Sequence, residues 1–289
     1  MTDISADSRL AELSFEFFPP NTAEGAEKLR LTRARLAALS PSFFSVTYGA
    51  GGATRDKTLA TVDQIVAEGH AVAPHLSCIG ASRESIAELL DGYRSRGIRR
   101  LIALRGDLPS GMVDTGDFRY ASDLIAFVRE HSADHFLIQV AAYPEVHPQA
   151  PSAAADLQAL ATKVRAGADS AITQYFYNAD AYFRFCDDAL RAGIDIPIIP
   201  GIMPINNFVQ LARFSDNCGA EIPRWLRQRL ASFGDDLAGL RSFGVDVVCR
   251  LCERLLDGGA PGLHLYTLNQ AEASERIVSG LRLRSTASG

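Results

Sequence analysis

A single tryptophan, five cysteines and no excess of basic residues set the first limits on this 289-residue chain. Five is an odd and sparse cysteine count for the length, which argues against a disulfide framework. No run approaches about 18 apolar residues, so no membrane-spanning helix is expected. Acidic residues outnumber basic ones, 34 to 29, for a formal net charge of −5, and the basic footprint of a general nucleic-acid binder is missing. Met1–Leu13 is polar and has no basic stretch ahead of an apolar core, which argues against a secretory signal and for the cytoplasm. Six histidines show no metal-ligand spacing, so no metal is expected. What is present is an ordinary globular composition, 47% hydrophobic and 22% charged, in a chain long enough to bury a sizeable core.

The dominant pattern is an alternation. Apolar or β-rich runs recur at Leu13–Phe18, Phe43–Tyr48, Ala71–Cys78, Arg99–Gly106, Phe136–Tyr143, Ser170–Tyr177, Ile196–Met203 and Gly262–Leu268. Segments with helical spacing lie between them. One begins at the N-cap candidate Ser82, presents Ile86, Leu89, Leu90 and Tyr93 on one face and ends at Gly97. Others cover Thr54–Gly69 and Ser152–Gly167. Strand–helix alternation implies parallel pairing with right-handed crossovers, and eight units suit a closed (β/α)8 barrel. An open doubly wound sheet is the rival. It usually carries a glycine-rich turn after its first strand, whereas here that strand ends in Phe18-Pro19-Pro20. Between the seventh and eighth strands the spacing predicts extra helices near Asn206–Asn217 and Pro223–Phe233, then a long one over Asp235–Asp257. The whole chain reads as one barrel domain, with residues 1–12 and 284–289 as flexible tails.

In such a barrel the chemistry lies at the C-terminal ends of the strands. Those ends carry Glu16; Thr47 and Tyr48; His75 and Ser77; Arg105 and Asp107; Tyr143, Glu145 and His147; Gln174 and Tyr177; Met203 and Asn206; and Tyr266, Thr267 and Asn269. Alternation puts Ser14, Glu16 and Phe18 on one face of the first strand. A carboxylate among aromatics is costly, so burial is expected to raise the Glu16 pKa, as a general acid needs. The plainer reading makes it a salt-bridged or capping glutamate. Asp107 is either a site carboxylate or a turn residue paired with Arg105. His75 is either functional or a satisfied core histidine, and His147 sits on a loop, where function is commoner. Cys249-x-x-Cys252 reads as a pair of buried helix-face thiols, and Tyr175–Phe185 as an aromatic stripe mostly in the core. Gly49–Thr54 lacks both the full dinucleotide fingerprint and the Walker lysine.

Taken together, Phe15-Glu16-Phe17-Phe18-Pro19-Pro20, Ser45-Val46-Thr47-Tyr48-Gly49-Ala50, Pro74-His75-Leu76, Ala103-Leu104-Arg105-Gly106-Asp107, Tyr120-Ala121-Ser122-Asp123, Ala142–Pro148, Ile172–Phe176, Pro200–Pro204 and Tyr266-Thr267-Leu268-Asn269 resemble the 5,10-methylenetetrahydrofolate reductase family of the bacterial type. The eukaryotic regulatory domain is absent from the resemblance. It implies a barrel binding FAD at its mouth. It also implies ping-pong reduction of 5,10-methylenetetrahydrofolate by NADH or NADPH to 5-methyltetrahydrofolate, a methyl source for methionine synthesis. By motif, Glu16 would be the general acid and Asp107 a carboxylate near flavin and pterin. Gln174, Gln210, Phe214, Tyr266 and Gln270 would contact the substrates. Thr47, Tyr48, Ala50, His75, Arg105, Gly106, Asp107, Tyr120, Ala121, Tyr143, His147, Asp156 and Lys163 would contact FAD, with Arg105 and Lys163 neutralising the pyrophosphate and Asp156 taking ribose hydroxyls. A homo-oligomer is implied as well. The sequence departs from the family at Gln270, where an arginine is expected, and at Ala159 and Thr162, where some members carry asparagine and arginine. Those departures weaken the expected hold on FAD and folate. They leave two alternatives, direct hydride transfer from NADH without flavin and a non-catalytic folate- or flavin-binding barrel. A barrel aldolase or isomerase is disfavoured, since no strand end carries a lysine.

Overall fold

The computed structural model describes residues 12–48, 55–106 and 116–287, with side chains described as far as Leu281. From the N-terminal side, strands and helices alternate: β1 (Leu13–Phe17), α1 (Ala23–Ala37), β2 (Phe43–Val46), α2 (Arg55–Ala67), β3 (Val72–Ser77), α3 (Arg83–Ser95), β4 (Arg100–Leu104), α4 (Ala121–Ser132), β5 (Leu137–Ala142), α5 (Ala153–Arg165), β6 (Ser170–Thr173) and α6 (Ala179–Arg191). There follow β7 (Ile198–Ile199), β8 (Gly201–Ile202), α7 (Phe208–Cys218), α8 (Arg224–Ala231), α9 (Leu237–Asp257), β9 (Leu263–Tyr266) and α10 (Glu272–Ala287).

Every pairing is parallel, in the order β7-β6-β5-β4-β3-β2-β1-β9-β8. β7 and β8 are two halves of one extended segment. Pro200 divides them because it has no N–H to give to a ladder. Ile198 and Ile199 pair with β6, and Gly201 and Ile202 pair with β9, so this one segment closes the ring. The result is a (β/α)8 barrel with α7 and α8 added between its seventh and eighth strand positions.

Local chemistry sets the helix starts. The Ser82 hydroxyl accepts from Ser85 N and the Ser152 hydroxyl from Ala155 N, each at 3.2 Å. Each hydroxyl satisfies an amide that the first helical turn would otherwise leave unpaired. The observed strands are one to four residues shorter than the apolar runs that announced them. Of the tails expected at 1–12 and 284–289, residues 1–11 and 288–289 lie outside the described residues, while 284–287 continue a helix instead of a loose tail. α10 carries a helical backbone through Ala287.

Two apolar regions hold the fold. The larger lies between sheet and helices, where the outward faces of the strands meet residues such as Leu29, Ile65, Leu90 and Val128. Cys249 and Cys252 are buried there on α9, as their spacing implied. The smaller fills the barrel itself, with Phe43, Ala73, Ile102, Ile172 and Ile199 contributed by five different strands. Interior positions nearer the C-terminal ends turn polar, and there the barrel opens.

Candidate functional site

A cavity of about 480 Å³ occupies the C-terminal mouth of the barrel. Ile102, Leu104, Ile172 and Met203 give it apolar walls, while Glu16, His75 and His264 form a polar edge. Such a volume lies in the ordinary range for small-molecule sites.

Glu16 is the centre of that edge. Its side chain is 12% exposed, and His75 Nε2 lies 3.1 Å from Oε2, off the hydrogen-bond axis. His264 Nε2 approaches the same oxygen at 3.5 Å. The carboxyl was expected to have a raised pKa, and the structure corrects this. Burial does push it up, but the charges and N–H groups of His75 and His264 together outweigh burial and bring it from the ordinary 4.5 down to about 2. Glu16 is therefore an ionised carboxylate beside two imidazoles. Because the folded pKa lies below the ordinary one, ionised Glu16 contributes stability above about pH 4.5, and that contribution is lost as pH falls towards 2. The stability difference between wild type and Glu16→Gln, measured by urea unfolding, is expected to shrink across that window. A difference constant from pH 6 to pH 2.5 would contradict the assignment.

The backbone around Glu16 is pinned. Thr267 Oγ1 donates to Glu16 O at 2.6 Å, Asn269 Nδ2 donates to Phe18 O at 2.9 Å, and Phe18 N donates back to Asn269 Oδ1 at 2.9 Å. This stitch ties the end of β1 to the loop after β9. Leu268 and Asn269 both adopt left-handed backbone there, with φ of 52° and 58°. Asn tolerates that region, whereas Leu seldom does, so the loop is held by its contacts.

Tyr266 stands beside this cluster. Its hydroxyl donates to Thr173 O at 2.7 Å, and its ring meets His264 edge-on with centroids 5.3 Å apart. Burial holds its phenol well above the usual range. Across the mouth, Phe214 and Asn217 on α7 form another wall, with Tyr143, His147 and Gln174 completing the rim. The Gln174 side-chain carbonyl accepts from Tyr175 N at 3.0 Å, which fixes the amide and directs its NH2 elsewhere.

The barrel thus brings Glu16, His75, Tyr143, His147, Gln174, Phe214 and Tyr266 to one cavity. Other candidates lie around it. Arg105 reaches Gln149 Oε1 at 2.6 Å from the end of β4, and Gly106 turns the chain there with φ 87°. The Tyr120 ring is exposed ahead of α4, and Ala121 begins that helix. Thr47 and Tyr48 follow β2 at partial burial. Gln210 is exposed on α7, and Gln270 accepts from Asn206 Nδ2 at 3.4 Å. Asp156 and Lys163 are turned to the protein. Asp156 Oδ2 accepts from His147 N at 2.8 Å, and the Lys163 ammonium donates to Ala141 O. Burial lowers that ammonium to about 8, against the opposing pull of Asp156. Ala50 and Asp107 lie outside the described residues. Among the described residues, no group of three or more His, Cys, Asp or Glu side chains is placed to hold a metal, and no helix is long and apolar enough to cross a membrane.

Comparison with known proteins decides the family. The family model for methylenetetrahydrofolate reductase matches residues 2–282. The chain belongs to the methylenetetrahydrofolate reductase family. It is 44% identical over 273 residues to the 5,10-methylenetetrahydrofolate reductase of Escherichia coli (strain K12), covering 94% of this chain and 91% of that one. It is 37% identical to methylenetetrahydrofolate reductase (NADH) 1 of Zea mays over 97% of this chain and 50% of the plant protein. A solved structure with the same fold is an uncharacterized protein from Clostridium thermocellum that binds two copies of 5-methyl-5,6,7,8-tetrahydrofolic acid. It superposes with a TM-score of 0.64 at 17% identity over 96% of each chain. This chain is accordingly an oxidoreductase of the reductase family.

One residue that lines the cavity is not marked by the strand-end pattern. His264 is fully buried and lines the cavity, two residues before Tyr266 on the same face of β9. Strand alternation through Tyr266 carries its signal, although His264 stands two residues short of the strand end.

Proposed function

We propose that this barrel reduces 5,10-methylenetetrahydrofolate to 5-methyltetrahydrofolate with NADH or NADPH, using FAD at the mouth of the cavity in two half-reactions. The observation that supports it most directly is Glu16, a carboxyl at the cavity edge held by two imidazoles, in a chain that the reductase family model matches almost end to end. The donor set suits a flavin. The walls at Leu104, Ala141 and Ile172 are apolar, as a flat heterocycle requires, and polar groups sit at their margin. His75, Tyr143 and His147 would face its ring system, and Arg105 with Tyr120 would face the remainder. When bound, the flavin supplies the hydride chemistry between the nicotinamide and the folate.

The protein's own part follows from its geometry. Ring opening of the folate's five-membered ring needs a proton on its N10 nitrogen, and Glu16, which must first take up a proton because it rests ionised, delivers it as the bond from N10 to the methylene carbon breaks. The carbon, left doubly bonded to N5, then accepts the hydride. Gln174 and Phe214 hold the reacting face against the cavity, and the apolar walls exclude water that would hydrolyse the cation. Asp107 would stabilise the same cation from the β4–α4 loop. Anaerobic mixing with each nicotinamide and then with methylenetetrahydrofolate tests the reading. Flavin colour is expected to bleach in the first step and return in the second, with 5-methyltetrahydrofolate formed.

The inward commitment of Asp156 and Lys163 favours a second reading, direct hydride transfer from NADH without flavin. Purified protein without flavin absorbance, whose activity added FAD leaves unchanged, would establish that route instead. Cytoplasmic placement, supply of methyl groups for methionine synthesis and a homo-oligomeric state belong to the same proposal. The assembly state is measurable by sedimentation.

A further inference from the structure

Glu145 lies next to the cavity without lining it, and the proposed chemistry does not use its carboxyl. The side chain is partly buried, and burial pushes its pKa above the ordinary value, against the pull of one N–H donor. That donor is the backbone N–H of Glu221, which gives to Glu145 Oε2 at 2.7 Å. The bond crosses from the loop after β5 to the connection between α7 and α8, 76 residues along the chain. A carboxylate bonded to a backbone N–H makes one of the stronger hydrogen bonds available to a protein.

Both ends of this bridge carry cavity walls. Tyr143 and His147, on either side of Glu145, line the cavity from the loop after β5. Phe214 and Asn217 line it from α7, whose C-cap is Gly219. The two walls also touch directly. Gly219 takes φ 74°, and a Cβ built there would lie 2.9 Å from Pro148 Cγ, so the helix end needs glycine both to turn and to approach the loop. Beyond it Ala220 and Ile222 are buried, while Glu221 between them is exposed and gives its amide to Glu145. The Tyr175 hydroxyl, 3.0 Å from Ser215 Oγ, ties the middle of α7 to the segment after β6. The Glu145 bridge ties its far end to the loop after β5.

The loop is bent to make this contact. Val146 has φ 70°, a left-handed backbone that a β-branched residue rarely adopts. It closes a turn in which Val146 N donates to Tyr143 O at 3.3 Å. A strained residue of this kind persists where its surroundings hold it on both sides. On one side Glu145 is held by Glu221, and on the other His147 N donates to Asp156 Oδ2 at 2.8 Å. The His147 ring then meets Tyr143 edge-on with centroids 4.5 Å apart. Val146 thus sends one neighbour to the end of α7 and the other to the cavity rim.

We propose that Glu145 is a positioning residue: its bond to Glu221 sets the separation between the wall that carries Tyr143 and His147 and the wall that carries Phe214, and with it the alignment of the rings that exchange hydride. This rests on the proposed reductase function, under which those rings lie between the two walls in both half-reactions. Transfer between bound rings is steep in distance, and a misplacement of about 1 Å caused far from the reacting atoms can cost about a hundredfold. A bond outside the cavity therefore governs rate without touching substrate. What it requires of residue 145 is an acceptor oxygen at the reach of a glutamate side chain. The negative charge strengthens the bond and is not needed at the reacting atoms.

The test compares Glu145→Ala, Glu145→Gln and Glu145→Asp in the holoenzyme. Each is read by stopped-flow hydride transfer from NADH, by single-turnover formation of 5-methyltetrahydrofolate and by hydrogen exchange at the Glu221 amide. Glu145→Ala should slow both half-reactions about tenfold at saturating substrate, and its Glu221 amide should exchange faster. Glutamine keeps the length and an acceptor oxygen, so Glu145→Gln should stay within about twofold of wild type on every measure. Aspartate keeps the charge but is one methylene short, so Glu145→Asp should behave as alanine does. The reverse order, with aspartate rescuing and glutamine failing, would make the carboxylate an electrostatic element and overturn the inference. An alanine variant with wild-type rates in both half-reactions would overturn it too, whatever its melting temperature, because the bridge would then serve stability alone. So would a loss confined to the folate step, since the two half-reactions share the walls. In each of these cases the wild type still makes 5-methyltetrahydrofolate. A wild type that forms none overturns the proposed function itself, and the inference with it. Should Glu145→Ala not fold, the glutamine and aspartate variants decide.

Discussion

Glu16→Gln is expected to lower the rate of methyltetrahydrofolate formation by about a thousandfold, while reduction by NAD(P)H falls far less. Glutamine matches the shape of glutamate and its carbonyl still accepts from His264 Nε2, so the cavity keeps its walls. What it loses is the capacity to carry a proton. The nicotinamide step needs no acid, because a hydride leaves a neutral ring to give a cation. The folate step does, because the amine that departs in ring opening is a poor leaving group until protonated. The two half-reactions should therefore separate in stopped-flow experiments. Equal losses in both would make Glu16 a structural residue. A wild-type rate with folate would remove it from the mechanism.

The fold could be read from the sequence because the alternation of strand and helix is a local property. Each strand run and each cap, such as Ser82 and Ser152, sits within a few residues of the element it defines. Boundaries were less legible. Tyr175, Phe176 and Tyr177 extend the apolar run of β6 beyond Thr173, yet they pack as a buried loop against neighbouring elements, and hydrophobicity does not distinguish a ladder from a packed loop. The site was legible to the extent that it sits on strand ends. The sign of the Glu16 shift was not, because burial is visible in Phe15-Glu16-Phe17 whereas the compensating imidazoles, His75 first and then His264, come from β3 and β9. A pKa is the sum of a local cost and distant partners, and only the first is written in the neighbouring residues. Asp156 and Lys163 illustrate the same limit. Their types suit a nucleotide, but their direction depends on the amide of His147 in the loop after β5 and the carbonyl of Ala141 near the end of β5, which need partners of their own.

Gly201→Ala should cost about 3 kcal/mol of stability, near the upper end for overpacking, and weaken substrate binding in the same stroke. Gly201 is needed for space. A methyl group built there would lie 2.1 Å from Thr173 O and 2.7 and 2.8 Å from the Tyr266 ring carbon Cε2 and hydroxyl. Neither neighbour can give way freely. Thr173 O accepts from Tyr266 O–H, while the Thr173 hydroxyl accepts from Gly201 N at 2.9 Å. The strand itself cannot retreat, because Gly201 and Ile202 are the two residues by which this segment closes the ring against β9. Relief of the ring contacts must come from Tyr266, whose displacement would withdraw the ring that flanks His264 and opens onto the cavity. A lower melting temperature by roughly 5–10 °C is expected from calorimetry, at a few degrees per kcal/mol for a domain of this size. A double-mutant cycle with Tyr266→Ala separates the two clashes. If the ring is the main obstacle, the second substitution costs less in the alanine background than in wild type. If Thr173 O is, the two costs add, and the methyl is excluded by barrel closure rather than by the site. A Gly201→Ala protein that melts with wild type would mean that the segment has slack, and that the ring closes less tightly than its register implies.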